Sequence, residues 1–107
     1  MTPLNIGNPQ SVGQGTLTFN RQVIAGMMYK DLLKTNIISQ DAKNRCEEMI
    51  RGDPTSPPGA YTGNSKGFEY VRKQVAAAIE RRDPGVKSNP ENIYLTNGAS
   101  EGVRTAF

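Results

Sequence analysis

Ile93-Tyr94-Leu95-Thr96-Asn97-Gly98-Ala99-Ser100-Glu101-Gly102 is the stretch on which the reading of this chain turns. Ile93 to Thr96 are rich in β-forming residues, the small residues that follow make a turn, and Val103, Arg104, Thr105, Ala106 and Phe107 can begin a helix. The order is strand, turn, helix. The first turn of a helix leaves backbone N–H groups without intrahelical partners and carries partial positive charge, so such a junction can seat a phosphate. Gly98 allows a backbone conformation that side chains resist, and Ser100 can cap the helix and donate its hydroxyl. An ordinary capped helix in an α/β protein has the same local pattern, so the turn alone leaves both readings open.

The chain has 107 residues, of which 36% are hydrophobic, enough for one domain with a modest core. Besides Ile93 to Thr96, a possible extended piece lies at Leu4 to Ile6, and two distant short strands do not make a stable sheet. The sequence ends as its last helix begins. Both features are expected of a fragment.

Thirteen Lys and Arg against ten Asp and Glu give a net charge of +3. Arg72, Lys73, Arg81 and Arg82 lie along one predicted helix with Glu69 and Glu80, which reads as a solvated helix face rather than a nucleic-acid surface. The single cysteine excludes an internal disulfide, and the absence of histidine argues against zinc. No signal peptide or membrane span is recognised, so a reducing, cytoplasmic setting without membrane or nucleic-acid partners is the expectation, with a mitochondrial one left open.

Upstream, Gly7 and Asn8-Pro9 predict a turn, and Gly7 could offer an unhindered N–H to a ligand carboxylate. Thr18 is placed to cap a helix with Phe19, Val23, Ile24, Met27 and Met28 on one face. Ser39 is placed to cap a second, in which Ala42, Cys46, Met49 and Ile50 share a stripe that makes Cys46 a buried thiol. Gly52 ends it. Tyr61 stands exposed in a loop rich in proline and glycine, either folded onto the surface or presented to a ligand or a second subunit. A third helix is expected from Asn64 or Ser65, with Phe68, Val71, Val75, Ala78 and Ile79 inward, stopping at Asp83-Pro84-Gly85.

Taken together, Asn5-Ile6-Gly7-Asn8-Pro9-Gln10, Gly59-Ala60-Tyr61, Arg72 to Val75, Ile79-Glu80-Arg81-Arg82-Asp83 and Asn89-Pro90-Glu91-Asn92-Ile93-Tyr94-Leu95-Thr96-Asn97-Gly98-Ala99-Ser100 resemble the N-terminal part of the alanine aminotransferase family. The resemblance runs from about residue 4 to the end, although the loop between Tyr61 and Gly67 is about one residue longer than the family pattern. It implies an α/β fold, the N-terminal part of a fold type I transferase dependent on pyridoxal 5′-phosphate. Residues 1–60 would form the arm and small-domain helices, and residues 61–107 the first strand and helix of the large domain.

The same resemblance implies that Gly98, Ala99 and Ser100 hold the cofactor phosphate, that Tyr61 reaches across a homodimer to the neighbouring active site, and that Gly7 lies beside the substrate carboxylate. The implied reaction exchanges an amino group between L-alanine and 2-oxoglutarate. Such an enzyme needs a lysine bonded to the cofactor, an aspartate at the pyridine nitrogen and an arginine for the substrate carboxylate. In the family all three lie beyond this sequence, so no catalytic residue is assigned and the isolated chain is expected to be inactive. Lys66 does not take the lysine's place, because it falls at the start of the third helix. Another fold type I enzyme, or a non-catalytic module binding a phosphate ligand, stays open as an alternative.

Overall fold

A computed structural model describes residues 7–54, 58–61 and 64–107. Among these residues four α-helices follow one another: α1 (Thr18–Met28), α2 (Gln40–Gly52), α3 (Glu69–Arg82) and α4 (Ala99–Ala106). Short 3₁₀ turns precede or join them at Pro9–Val12, Lys30–Lys34 and Pro90–Asn92. The two Asn-Pro turns form as their chemistry dictates. Asn8 accepts from the Ser11 N–H at 3.3 Å and Asn89 from the Glu91 N–H at 2.9 Å, each side chain closing the turn that the following proline starts.

Helices α1 and α2 make the tightest part of the molecule. Gly26 faces α2 so closely that a Cβ there would lie 2.8 Å from a Leu33 methyl and 2.9 Å from the Cys46 sulfur. Against it sit Ala42 and Cys46, both wholly buried, with Ile38 beside them. The Cys46 thiol is 3.4 Å from the Val23 carbonyl, which can accept its weak hydrogen bond. Burial pushes its pKa up. The buried-thiol reading of Cys46 therefore holds. Helix α3 joins this pair through Tyr70, whose hydroxyl lies 3.3 Å from a Glu48 oxygen and 3.4 Å from Arg45 Nη1.

Several sequence expectations need correction. Thr18 begins α1 but does not cap it; Leu17 holds the cap position and no side chain bonds there. Of the predicted α1 face, Phe19, Ile24 and Met28 are exposed, because α1 turns Gly26 towards α2. Ser39 is the N-cap residue of α2, yet its hydroxyl donates to Gln22 Oε1 at 2.6 Å and ties α1 to α2. Helix α3 starts at Glu69, not at Asn64 or Ser65, since the chain first makes a turn that ends at Gly67 in a left-handed conformation, φ +103°. Ala78 is exposed, and the inward stripe of α3 runs instead through Arg72 and Ala76.

The expected sheet is not formed among the described residues. Ile93 has strand-like angles, φ −103° and ψ 128°, and Leu95 donates its N–H to the Lys66 carbonyl at 2.9 Å. One backbone bond is not a ladder. The segment is a strand in conformation that lacks the neighbours a sheet requires. Leu4 to Ile6, the other extended piece, lies outside the described residues.

The radius of gyration is 16.7 Å, against roughly 13 Å for a compact domain of this length. The accessible surface is 8505 Å², against roughly 5,900 Å² for a compact monomer of this mass. Large apolar side chains stay uncovered along α1 and around α4, among them Ile24, Met28, Tyr94, Val103 and Phe107. This chain does not close a full core by itself.

Candidate functional site

The Gly98 turn stands where the sequence places it. Gly98 has φ +87° and ψ 174°, a region that residues with a Cβ scarcely visit, and it is the N-cap of α4. Its N–H donates to the Thr96 carbonyl at 3.0 Å, while the Thr96 hydroxyl donates to the Gly98 carbonyl at 3.2 Å. That pair of bonds folds the turn on itself. The first intrahelical bond runs from the Gly102 N–H to the Gly98 carbonyl at 3.2 Å, which leaves the N–H groups of Ala99, Ser100 and Glu101 without partners inside the helix. No atom lies within 4 Å of a Cβ built on Gly98. The Gly98 side of the turn is therefore not crowded by other parts of the chain among the described residues.

Ser100 corrects one expectation. It sits inside the first turn of α4, and no side chain caps the helix. Its hydroxyl takes no hydrogen-bond partner among the described residues, so it is available to donate outward. Glu101 puts a carboxylate in the same turn, and Arg104 comes within 3.9 Å of it on the exposed helix face. That contact offsets part of the repulsion between Glu101 and an incoming anion. Beside the turn, Tyr94, Thr96, Gly102, Thr105 and Ala106 line an open groove of about 510 Å³.

A second cluster fixes the segment that leads into the turn. Arg72, expected on a solvated face, is 1% exposed. Its Nε donates to the Gly67 carbonyl at 3.2 Å, and its Nη1 donates to the Pro90 carbonyl at 2.7 Å and to Glu91 Oε1 at 3.0 Å. The spacing carried a signal. Arg72 lies four residues after Phe68 and four before Ala76, on the inward stripe, where a charged residue must find partners. Lys66 completes the cluster: its amine donates to the Glu91 carbonyl at 2.7 Å, lies 3.3 Å from Glu91 Oε2, and sits 5.4 Å above the Tyr94 ring. These contacts tie Lys66 to the segment at residues 91–94, ahead of α3 and not inside its first turn.

Hydrogen bonds from Arg72 and then Lys66 hold the Glu91 carboxyl below the usual glutamate range. A depressed carboxylate contributes stability above its unfolded value of about 4.3, and that contribution is lost as pH falls through the lower folded value. Glu91→Gln is therefore expected to lower stability at neutral pH, where the contribution is fully present, and to change it little in strong acid, which flattens the acid limb of the stability curve below about pH 4.3. Circular dichroism across an acid titration reads this directly.

The other two predicted site residues stand apart from this framework. Tyr61 is fully exposed and Gly7 is exposed, with nothing within 4 Å of a Cβ built on it. Neither takes part in the bonds that form the turn or the Arg72 cluster. Among the described residues there is no group of three His, Cys, Asp or Glu side chains fit to hold a metal, and no helix is long and apolar enough to cross a membrane.

No family model matches the chain. Curated proteins do. The chain is 48% identical over 101 residues to "Alanine aminotransferase 2-like" of Danio rerio, covering 94% of this chain and 18% of that protein. It is 41% identical over 101 residues to "Alanine aminotransferase 2" of Xenopus tropicalis, covering 94% and 19%. The chain is homologous to alanine aminotransferases. A further relative, "Inactive alanine aminotransferase" of Saccharomyces cerevisiae, is 43% identical over 107 residues, covering 92% of this chain and 21% of that protein. The chain thus spans about a fifth of the length of the alanine aminotransferases it matches. A relative named inactive is as similar here as those named without that word, so identity across this span does not decide activity.

Proposed function

We propose that this chain supplies the cofactor-phosphate turn of an aminotransferase that exchanges an amino group between L-alanine and 2-oxoglutarate, giving pyruvate and L-glutamate. The observation that carries the reading is Gly98 at φ +87°, opening onto the N-terminus of α4 with nothing in front of it. The donor set fits a phosphate monoester: the backbone N–H groups of Ala99, Ser100 and Glu101, the Ser100 hydroxyl and the positive end of the helix. Pyridoxal 5′-phosphate, when bound, supplies the electron sink through which an amino group leaves one carbon skeleton and enters another. This chain's part is to fix the phosphate end, and so to aim the reactive end at residues elsewhere in the fold.

The proposal extends to the assembly. The extended segment Ile93–Thr96 would become the first strand of a fold type I sheet once neighbours pair with it. Fully exposed Tyr61 would reach the phosphate site of a second subunit in a homodimer, and Gly7 would lie near the substrate carboxylate. A cytoplasmic setting goes with this reading. The relative named inactive favours a second reading, in which the turn still binds a phosphate ester without transamination.

Both readings are separated on the polypeptide extended to the length of its relatives. Binding of pyridoxal phosphate with pyruvate formation from alanine and 2-oxoglutarate supports the first; binding without pyruvate supports the second. Failure to bind pyridoxal phosphate at all overturns both. The 107-residue chain alone is expected to form no pyruvate.

A further inference from the structure

We infer that Arg72 is a positioning residue for the phosphate turn, acting through the paired segments at residues 64–67 and 90–95; the inference rests on the function proposed above. Arg72 anchors one end of this pairing, bonding the Gly67 and Pro90 carbonyls and Glu91 from a wholly buried position. The other end is the bond from the Leu95 N–H to the Lys66 carbonyl, with Leu95 pressed against Gly67. Three residues later comes Gly98, and no atom lies within 4 Å of its Cβ position to hold the turn from the side. The turn takes its place from the segment leading in, and that segment takes its place from Arg72.

The geometry also explains why arginine is used. Nε and Nη1 address acceptors on two different chain segments at once, which the single amine of lysine cannot reproduce. Arg72 never meets the ligand; it sets where the N–H groups of Ala99 and Ser100 stand. A residue with that role changes recognition of the phosphate more than recognition of the ring. A residue that only stabilises the fold changes both alike or neither.

The test compares pyridoxal phosphate with pyridoxal, which lacks the phosphate, by equilibrium titration of the full-length polypeptide and its Arg72→Met and Arg72→Lys variants. The ratio of the two affinities is expected to fall by roughly ten-fold in both variants, with pyridoxal affinity nearly unchanged. An unchanged ratio in a folded variant overturns the inference. If both variants fail to fold, Glu91→Gln decides, because it leaves Arg72 its two carbonyl partners: a ratio reduced about three-fold supports the positioning role, and an unchanged ratio overturns it. Absence of pyridoxal phosphate binding by the unaltered polypeptide would count against the proposed function itself, a separate failure.

Discussion

Replacing Gly67 with alanine is expected to destabilise the protein by about 2–6 kcal/mol, a large part of the roughly 5–15 kcal/mol that holds a domain together. Two effects combine. With φ at +103°, an L side chain is strained, at a cost of about 1–3 kcal/mol. The added methyl would also lie 2.7–2.8 Å from three side-chain atoms of Leu95, and overpacking of that kind costs another 1–3 kcal/mol or so. A double-mutant cycle separates them. Leu95→Gly removes the steric conflict, the Cβ contact included, and leaves the backbone strain at position 67, so Gly67→Ala should cost less in a Leu95→Gly background. Urea midpoints of the four proteins measure the difference. Equal costs in both backgrounds would show that the close approach of Gly67 and Leu95 carries no energy.

The helices were legible because periodicity and breakers agree on them. Asp83-Pro84-Gly85 ends α3 at Arg82, and the Ala42 and Cys46 stripe of α2 is buried as its spacing predicts. Caps were less legible, since a serine before a helix has other possible partners. Ser39 bonds Gln22, 17 residues earlier in the chain, and only the approach of α1 to α2 makes that possible. Arg72 was misread because charge was weighed before position. An arginine on the inward stripe is costly unless acceptors wait for it, and its acceptors come from Gly67, Pro90 and Glu91, which only the folded chain brings together. The sheet was out of reach for a different reason: strand conformation is local, but a ladder needs partners, and among the described residues the one backbone bond that Leu95 donates goes to Lys66, in a turn.

The backbone of the Gly98 turn was the most legible part of the candidate site, and its proposed part in phosphate binding can be tested by one atom. Gly98→Ala is expected to weaken pyridoxal phosphate binding by roughly 10–100-fold in the full-length polypeptide. The reason differs from Gly67: a Cβ here meets nothing within 4 Å, so crowding plays no part. The whole penalty comes from φ +87° and ψ 174°, a conformation costing an L-residue about 1–3 kcal/mol, which converts to about 5–150-fold in affinity if it is relieved by turning the Ala99 N–H away from the phosphate. Chirality supplies the control. D-alanine introduced at position 98 by chemical ligation finds these angles in its own allowed β region, the mirror image of that of L-alanine. Affinity should therefore return to within a few-fold of the glycine protein. If D-alanine and L-alanine weaken binding equally, the methyl itself obstructs the phosphate, and the anion must lie closer to the Gly98 Cα than the open face of the turn implies.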